Sequence, residues 1–380
     1  MKKRIVSLIF SFVFILGVTV NLISAANIKE TNFDLDVKSA ILIEANTGTV
    51  LYRQNETERL APASVTKIMT LLLVFESIEK GMLKYDDILT VSENAASMGG
   101  SQVFLEPGEK MCVTDLLKSV IIASANDAAL TLAEHVGGSE ETFVNMMNCR
   151  AKELGMDFTN FENVTGLDDD VANHLTCAKD IALMSKELLK HEKVSEYATI
   201  WMDTIRNGEF GLTNTNKLVR YYNGITGLKT GFTNVAGYCI SASAKRGNLH
   251  LIAVIMGAET SQIRNSAASK LLDFGFANYS LYSSEESSKT IDVYGGLKNE
   301  TTVKFENFEV LLNKGADSKV EKVIEISDYL VAPIKKNEKI GKVIYKVGDE
   351  IIGQSDIICT ETIDKMSFFQ YFVKVIKNLF

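Results

Sequence analysis

The sequence predicts an α+β protein: an antiparallel sheet with helices packed on it, followed by a small all-β domain and a C-terminal amphipathic helix. Three observations carry this. Short apolar runs bounded by turns stand at both ends of the first 283 residues, with a long helical stretch between them. After residue 284 come short β-branched runs separated by polar turns. In residues 366–380 the polar side chains gather on one third of a helical wheel.

Met1-Lys2-Lys3-Arg4, an apolar run over residues 5–20 and the small residues Ser24-Ala25-Ala26 read as a secretory signal peptide occupying 1–26. Residues 39–43 form an apolar strand, Glu44-Ala45-Asn46-Thr47-Gly48 a turn where positive φ is cheap, and residues 49–52 the returning strand. Then comes one helix entered through Pro62, with Ser64 in its first turn and apolar residues on nearly every side after Lys67. Residues 113–193 are mostly helical. Asn126-Asp127 opens a helix stopped by Gly137-Gly138, Leu167-Asp168-Asp169-Asp170 is a loop, and Thr176 caps a helix over 178–189.

The chain then turns β. Leu228-Lys229-Thr230-Gly231 lies on or beside a strand. Residues 237–244 and 249–256 pair across Lys245-Arg246-Gly247-Asn248, and a helix follows over 261–274. The first domain, 27–283, is therefore one sheet built from both of its ends. Residues 282–289 are rich in Ser and Glu and read as a linker. The β-rich domain, 284–362, takes strands at 301–305, 323–326 and 342–345, with turns at Asn337-Glu338 and Val347-Gly348-Asp349. The last helix, 363–380, is slightly basic and too short to span a bilayer, which fits association with a membrane surface.

Composition narrows the function. A net charge of −8 without a basic stripe argues against a nucleic-acid partner. No zinc-spaced Cys/His set and no Gly-rich phosphate loop is present. The five cysteines, Cys112, Cys149, Cys177, Cys239 and Cys359, fit neither a metal site nor a small disulfide scaffold, and four are expected as small buried hydrophobes.

The chemistry concentrates in three short motifs. Residues i and i+3 share a helical face, so the Lys67 amine can touch the Ser64 hydroxyl. Apolar surroundings lower a lysine pKa, and a neutral amine can take the proton of a serine. The spacing alone is weak, since Ser77-Ile78-Glu79-Lys80 matches it in a more polar setting. In Ser124-Ala125-Asn126 a hydroxyl able to relay a proton and an amide able to orient groups emerge between apolar runs. Ser92-Glu93-Asn94 shares that pattern. In Lys229-Thr230-Gly231 a cation and a hydroxyl stand beside a residue without a side chain, so a peptide can lie alongside and a carboxylate can bind.

The order and separations, 60 residues from Ser64 to Ser124 and 105 from Ser124 to Lys229, are similar to those of the penicillin-recognising serine acyl-transferases. The flanks Ala61-Pro62-Ala63-Ser64-Val65-Thr66-Lys67, Ser124-Ala125-Asn126-Asp127, Gly166-Leu167-Asp168 and Leu228-Lys229-Thr230-Gly231-Phe232-Thr233 most resemble the low-molecular-mass D-alanyl-D-alanine carboxypeptidases of the penicillin-binding protein 5 group. The resemblance covers the whole chain after the signal peptide.

It implies Ser64 as nucleophile, Lys67 as general base, Ser124 as proton relay and Asn126 as orienting group. It implies an oxyanion hole from the backbone N–H groups of Ser64 and Phe232. It also implies carboxylate binding by Lys229, Thr230 and Thr233 beside Gly231, with Arg264 adding positive charge. Phe232 stands where some members carry His; only its backbone is asked to act. The implied substrate is a peptidoglycan stem peptide ending in D-Ala-D-Ala, the implied inhibitors are β-lactams, and no metal or organic cofactor is implied. A β-lactamase shares the motifs, but residues 161–168 lack the Glu-x-x-Leu-Asn pattern of class A enzymes. A D,D-endopeptidase and a non-catalytic wall-peptide or β-lactam binder are the remaining readings at this point.

Overall fold

The computed structural model describes residues 34–167 and 172–377; residues 1–33, with the expected signal peptide, residues 168–171, with the Asp168-Asp169-Asp170 part of the expected loop, and residues 378–380 lie outside them. A five-stranded antiparallel sheet has the order Val50–Gln54, Ser39–Glu44, Leu249–Ala258, Gly237–Arg246, Ile225–Thr233. Both ends of the first domain thus meet in one sheet, as expected. Side chains alternate across it. Ile41, Ile43, Ile252 and Val254 face a core shared with the helices Lys67–Glu79 and Ala178–Leu188. Ala40, Leu42, Leu251 and Ala253 face Ala268, Leu271 and Leu272 of the helix Ser261–Asn278. The strand carrying Lys229 is at one edge and packs against the turn carrying Ser64.

Several local expectations are corrected. Ser64 lies not in an α-helical turn but in a 3-10 turn, Ala63–Thr66, and the α-helix begins at Lys67. Ala63 has φ +48°, so the chain enters this turn through the left-handed region. Cys177, not Thr176, stands at the N-cap position of the helix Ala178–Leu188 and makes no side-chain capping bond, while the Thr176 hydroxyl is engaged with Thr159 Oγ1 at 2.7 Å. Residues 282–289 are not a linker. They hold the end of the strand Tyr279–Ser283, which pairs with Glu309–Asn313, and the start of the strand Ser287–Tyr294, which pairs with Glu300–Phe305. Glu285, Glu286, Ser287, Ser288 and Lys289 are exposed to solvent, while Ser284 is buried and accepts from Phe308 N at 2.8 Å, and Leu281 and Ile291 point inward. Three cysteines are buried rather than four: Cys112 is half-buried, and Cys149 is exposed on the outer side of the helix Glu140–Glu153.

The β-rich part is a six-stranded sheet in the order Val320–Ile326, Lys339–Val347, Glu350–Cys359, Glu300–Phe305, Ser287–Tyr294, Tyr329–Val331. It has its own core around Val303, Val343, Tyr345 and Ile357. The helix Phe368–Lys377 follows, and the aromatic side chains Phe368, Phe369, Tyr371 and Phe372 are exposed. None of the helices in the described residues is long and apolar enough to cross a membrane.

Candidate active site

The Ser64 turn is held by what packs beneath it. Lys67 is fully buried, and its Nζ lies 2.9 Å from Ser64 Oγ and donates to Thr165 O at 2.8 Å. Burial, and then the nearby Lys229 cation, hold the Lys67 amine well below the usual lysine range, against an opposing pull from Asp127. An amine whose pKa is lowered in this way gives up its proton more readily, and its lone pair can then take the hydroxyl hydrogen of Ser64. The carbonyl of Thr165 fixes its direction.

Thr165 is placed by the loop that the resemblance marked only at Gly166-Leu167-Asp168, without its contact to Lys67. Asn163 Oδ1 accepts from Gly166 N at 2.7 Å and Thr165 N at 3.1 Å, and Asn163 Nδ2 donates to Leu167 O at 2.7 Å. His174 is buried, and its Nδ1 accepts from Glu162 N at 3.0 Å. That leaves Nε2 as the protonated nitrogen, donating to Thr66 Oγ1 at 2.8 Å. Gly166, at φ +81°, comes so close that a Cβ would stand 1.8 Å from Ala63 O. The one further signal was the density of Asn, Thr and Gly in Asn163-Val164-Thr165-Gly166, which marks a structured turn without saying what it holds.

The second motif faces the first. Ser124 sits at φ +65°, a left-handed conformation that costs an ordinary residue about 1–2 kcal/mol and collects at functional sites. Its neighbour Asp127 is buried at the start of the helix Asn126–Gly137, where negative charge is favoured. The Asp127 carboxylate accepts from Val103 N at 3.1 Å and Leu105 N at 3.0 Å, drawing that loop over the helix start. Asn126 N then donates to Ser101 O at 2.7 Å and Asn126 Nδ2 to Gly99 O at 2.7 Å. Asn126 Oδ1 is buried without a hydrogen-bond partner.

Lys229 joins the two halves. Its Nζ donates to Ser124 Oγ at 2.8 Å and to Thr230 O at 2.9 Å. Burial, helped by the Arg264 guanidinium, lowers its pKa to about 7. The Thr230 hydroxyl donates to Thr215 Oγ1 at 2.7 Å, and Thr233 Oγ1 accepts from Ala236 N at 3.0 Å in the turn ending the strand. Gly231 permits the close approach: a Cβ there would stand 2.9 Å from Pro62 O and 3.0 Å from Ser64 N. Phe232 projects outward and stacks on Tyr238, ring centroids 4.2 Å apart. Arg264 is buried, with its guanidinium 5.9 Å over Tyr238 and Nε donating to Asn265 Oδ1 at 3.0 Å. It is close enough to Lys229 to lower that amine's pKa, second to burial.

A seryl hydroxyl against a buried amine of lowered pKa, a second hydroxyl on a second lysine and a strand at the sheet edge are the equipment of a penicillin-recognising serine peptidase. Comparison with known proteins agrees. The D-alanyl-D-alanine carboxypeptidase family model matches residues 25–260, and the model for the penicillin-binding protein 5 C-terminal domain matches residues 276–365. The chain belongs to the D-alanyl-D-alanine carboxypeptidase family.

It is 44% identical over 345 residues, 88% of each chain, to the D-alanyl-D-alanine carboxypeptidase DacF of Bacillus subtilis. Its fold matches penicillin-binding protein 5 from Haemophilus influenzae with a TM-score of 0.73 at 30% identity, covering 88% of this chain and all of that one. Penicillin-binding protein D2 from Listeria monocytogenes, solved with cefotaxime bound, matches with a TM-score of 0.60 at 33% identity over 65% of this chain and all of that one.

Proposed function

We propose that this protein removes the terminal D-alanine from peptidoglycan stem peptides through an acyl-enzyme on Ser64. The observation that carries the reading is the 2.9 Å approach of the buried Lys67 amine to the Ser64 hydroxyl. Lys67 takes the hydroxyl proton as Ser64 Oγ bonds to the carbonyl carbon between the two D-alanines. The negative oxygen that forms is held by the backbone N–H groups of Ser64 and Phe232. The C–N bond breaks, and the departing D-alanine nitrogen receives its proton through Ser124. Asn126, with its unpartnered carbonyl oxygen, orients the substrate amide. Lys229, Thr230 and Thr233, with Arg264 behind them, receive the terminal carboxylate along the strand at Gly231 and Phe232. Water then hydrolyses the ester.

The same nucleophile accounts for acylation by β-lactams, whose strained amide carbonyl takes the place of the scissile one. A catalytic unit (27–283) and a β-rich unit (284–362) then act outside the cytoplasm after residues 1–26 direct export. The helix within 363–380 rests on the outer face of the cytoplasmic membrane; its uncovered phenylalanines support this, since a helix docked on the β sheet would have buried them. Mass spectrometry of penicillin-treated protein tests the assignment: one adduct on the peptide containing Ser64, absent from Ser64→Ala, is expected. An adduct that survives in Ser64→Ala would remove Ser64 as nucleophile.

A further inference from the structure

The β-rich part carries an apolar patch beside the C-terminal helix. The edge strand Tyr329–Val331 pairs in parallel with Ser287–Tyr294, placing Asp292 opposite Tyr329 and Tyr294 opposite Val331. Alternation buries Val293 and Leu330 and turns Tyr294, Tyr329 and Val331 outward. Those three are 58%, 50% and 64% exposed, and Leu297 in the adjoining turn is 53% exposed. Tyr294 and Tyr329 stand edge to face, centroids 4.9 Å apart. Charged residues would be the usual protection for an exposed edge strand, but here the outer face sets Tyr294, Tyr329 and Val331 beside a single carboxylate, Asp292.

This patch is tied to the helix Phe368–Lys377. Leu297 N donates to Asp364 O at 3.0 Å, Met366 N donates to Gly295 O at 2.8 Å, and Gly296 bridges Lys365. Lys374, on the polar side of the helix, bonds Asn299 in the same turn, so the phenylalanine side is turned away from the protein. Two exposed apolar surfaces are therefore clasped together by backbone hydrogen bonds.

We propose that the tip formed by Tyr294, Leu297, Tyr329 and Val331 is a second membrane contact, inserting into the lipid headgroup region beside the C-terminal helix. This rests on the reading of that helix as membrane-associated. Tyrosine suits the site because its ring is apolar and its hydroxyl remains hydrated, the pairing found at bilayer interfaces. Asp292, Asp328 and Asp364 flank the patch in the sequence as well as Lys298, Lys365 and Lys374, and Lys298 is paired with Glu361, so charge gives no net attraction to an anionic surface and insertion of apolar area carries the contact, with added salt changing it little. A lone helix lets the rest of the chain swing, whereas two contacts joined by a clasp set the tilt and height of the catalytic domain above the bilayer.

The chain lacking residues 1–26 is sedimented with vesicles of phosphatidylglycerol and phosphatidylethanolamine. Tyr294→Ser/Tyr329→Ser is expected to weaken vesicle affinity about tenfold or more at both low and high salt, from the lost ring burial. Covalent penicillin uptake serves as the folding control and remains at the wild-type rate. Phe368→Ser/Phe372→Ser tests the helix separately: unchanged binding in that variant defeats the reading on which the proposal rests. Release by the phenylalanine variant with no effect of the tyrosine variant overturns the tip alone. A direct readout uses Tyr329→Trp with brominated lipid: quenching of the new tryptophan in vesicle-bound protein is expected, and its absence overturns the proposal. A vesicle-free dimer abolished by the tyrosine substitutions would assign the patch to a second copy and overturn it as well.

Discussion

Replacing Gly166 by alanine separates the geometry of the site from its residue list. The added Cβ meets Ala63 O at 1.8 Å, and ordinary contact lies near 3.5 Å, so the loop must retreat by about 1.7 Å. The left-handed φ of +81° costs alanine about 1–2 kcal/mol on its own. Retreat also pulls Thr165 O from the buried Lys67 amine, now 2.8 Å away, and an abandoned buried acceptor costs about 1–3 kcal/mol. Together these destabilise the catalytic domain by about 2–5 kcal/mol, a fall in melting temperature on the order of 10 °C. A displacement of that size at the base slows acylation about 100-fold.

Gly138→Ala is the control: φ is +77°, but nothing lies within 4 Å of its Cβ, so only the backbone cost remains. Thermal unfolding and the rate of covalent penicillin uptake are measured on both variants. Equal melting temperatures, with Gly166→Ala acylating within twofold of wild type, would refute the argument that this loop positions Lys67.

Three further outcomes follow from the electrostatics and the C-terminus. The depressed Lys67 pKa means acylation should fall on acidification as the amine takes up a proton, and Lys67→Arg, permanently charged, should be inactive across the range; an active Arg variant would reject Lys67 as base. Lys229 has a folded pKa of about 7 and an ordinary value of 10.5, so the unfolded chain binds more protons between those pH values, and its contribution to stability is lost as pH falls through that window. Denaturant unfolding should therefore show wild type gaining about 2 kcal/mol more than Lys229→Met between pH 7 and 9, and equal gains would contradict the burial of a neutral amine. Deleting residues 366–380 should move the protein from vesicle pellet to supernatant without changing hydrolysis of a soluble peptide; a truncated form still pelleting would reject the helix as the main anchor.

Much of the site was legible because its pieces obey local rules. The Ser64–Lys67 contact follows from helical spacing, and it survives although the turn is 3-10. The sheet built from both ends was legible as well, since its strands are apolar runs with Asn-Gly-type turns. The partners of Lys67 were not, because Thr165, Asn163 and His174 act through backbone and turn bonds that leave no periodic trace. The Ser124–Lys229 bond joins residues 105 apart and was accessible only through resemblance. Residues 282–289 were misread for a physical reason: strands with one solvated face have the composition of a linker, and the pairing that distinguishes them is non-local.

The most direct test of the whole account is D-alanine release from a soluble acyl-D-Ala-D-Ala peptide by the chain lacking residues 1–26, run beside Ser64→Ala. Release by wild type, with none by an equally folded Ser64→Ala, is the predicted result. Release by both would contradict the Ser64 acyl-enzyme, and release by neither, with penicillin still taken up covalently, would replace the carboxypeptidase by a cross-link endopeptidase.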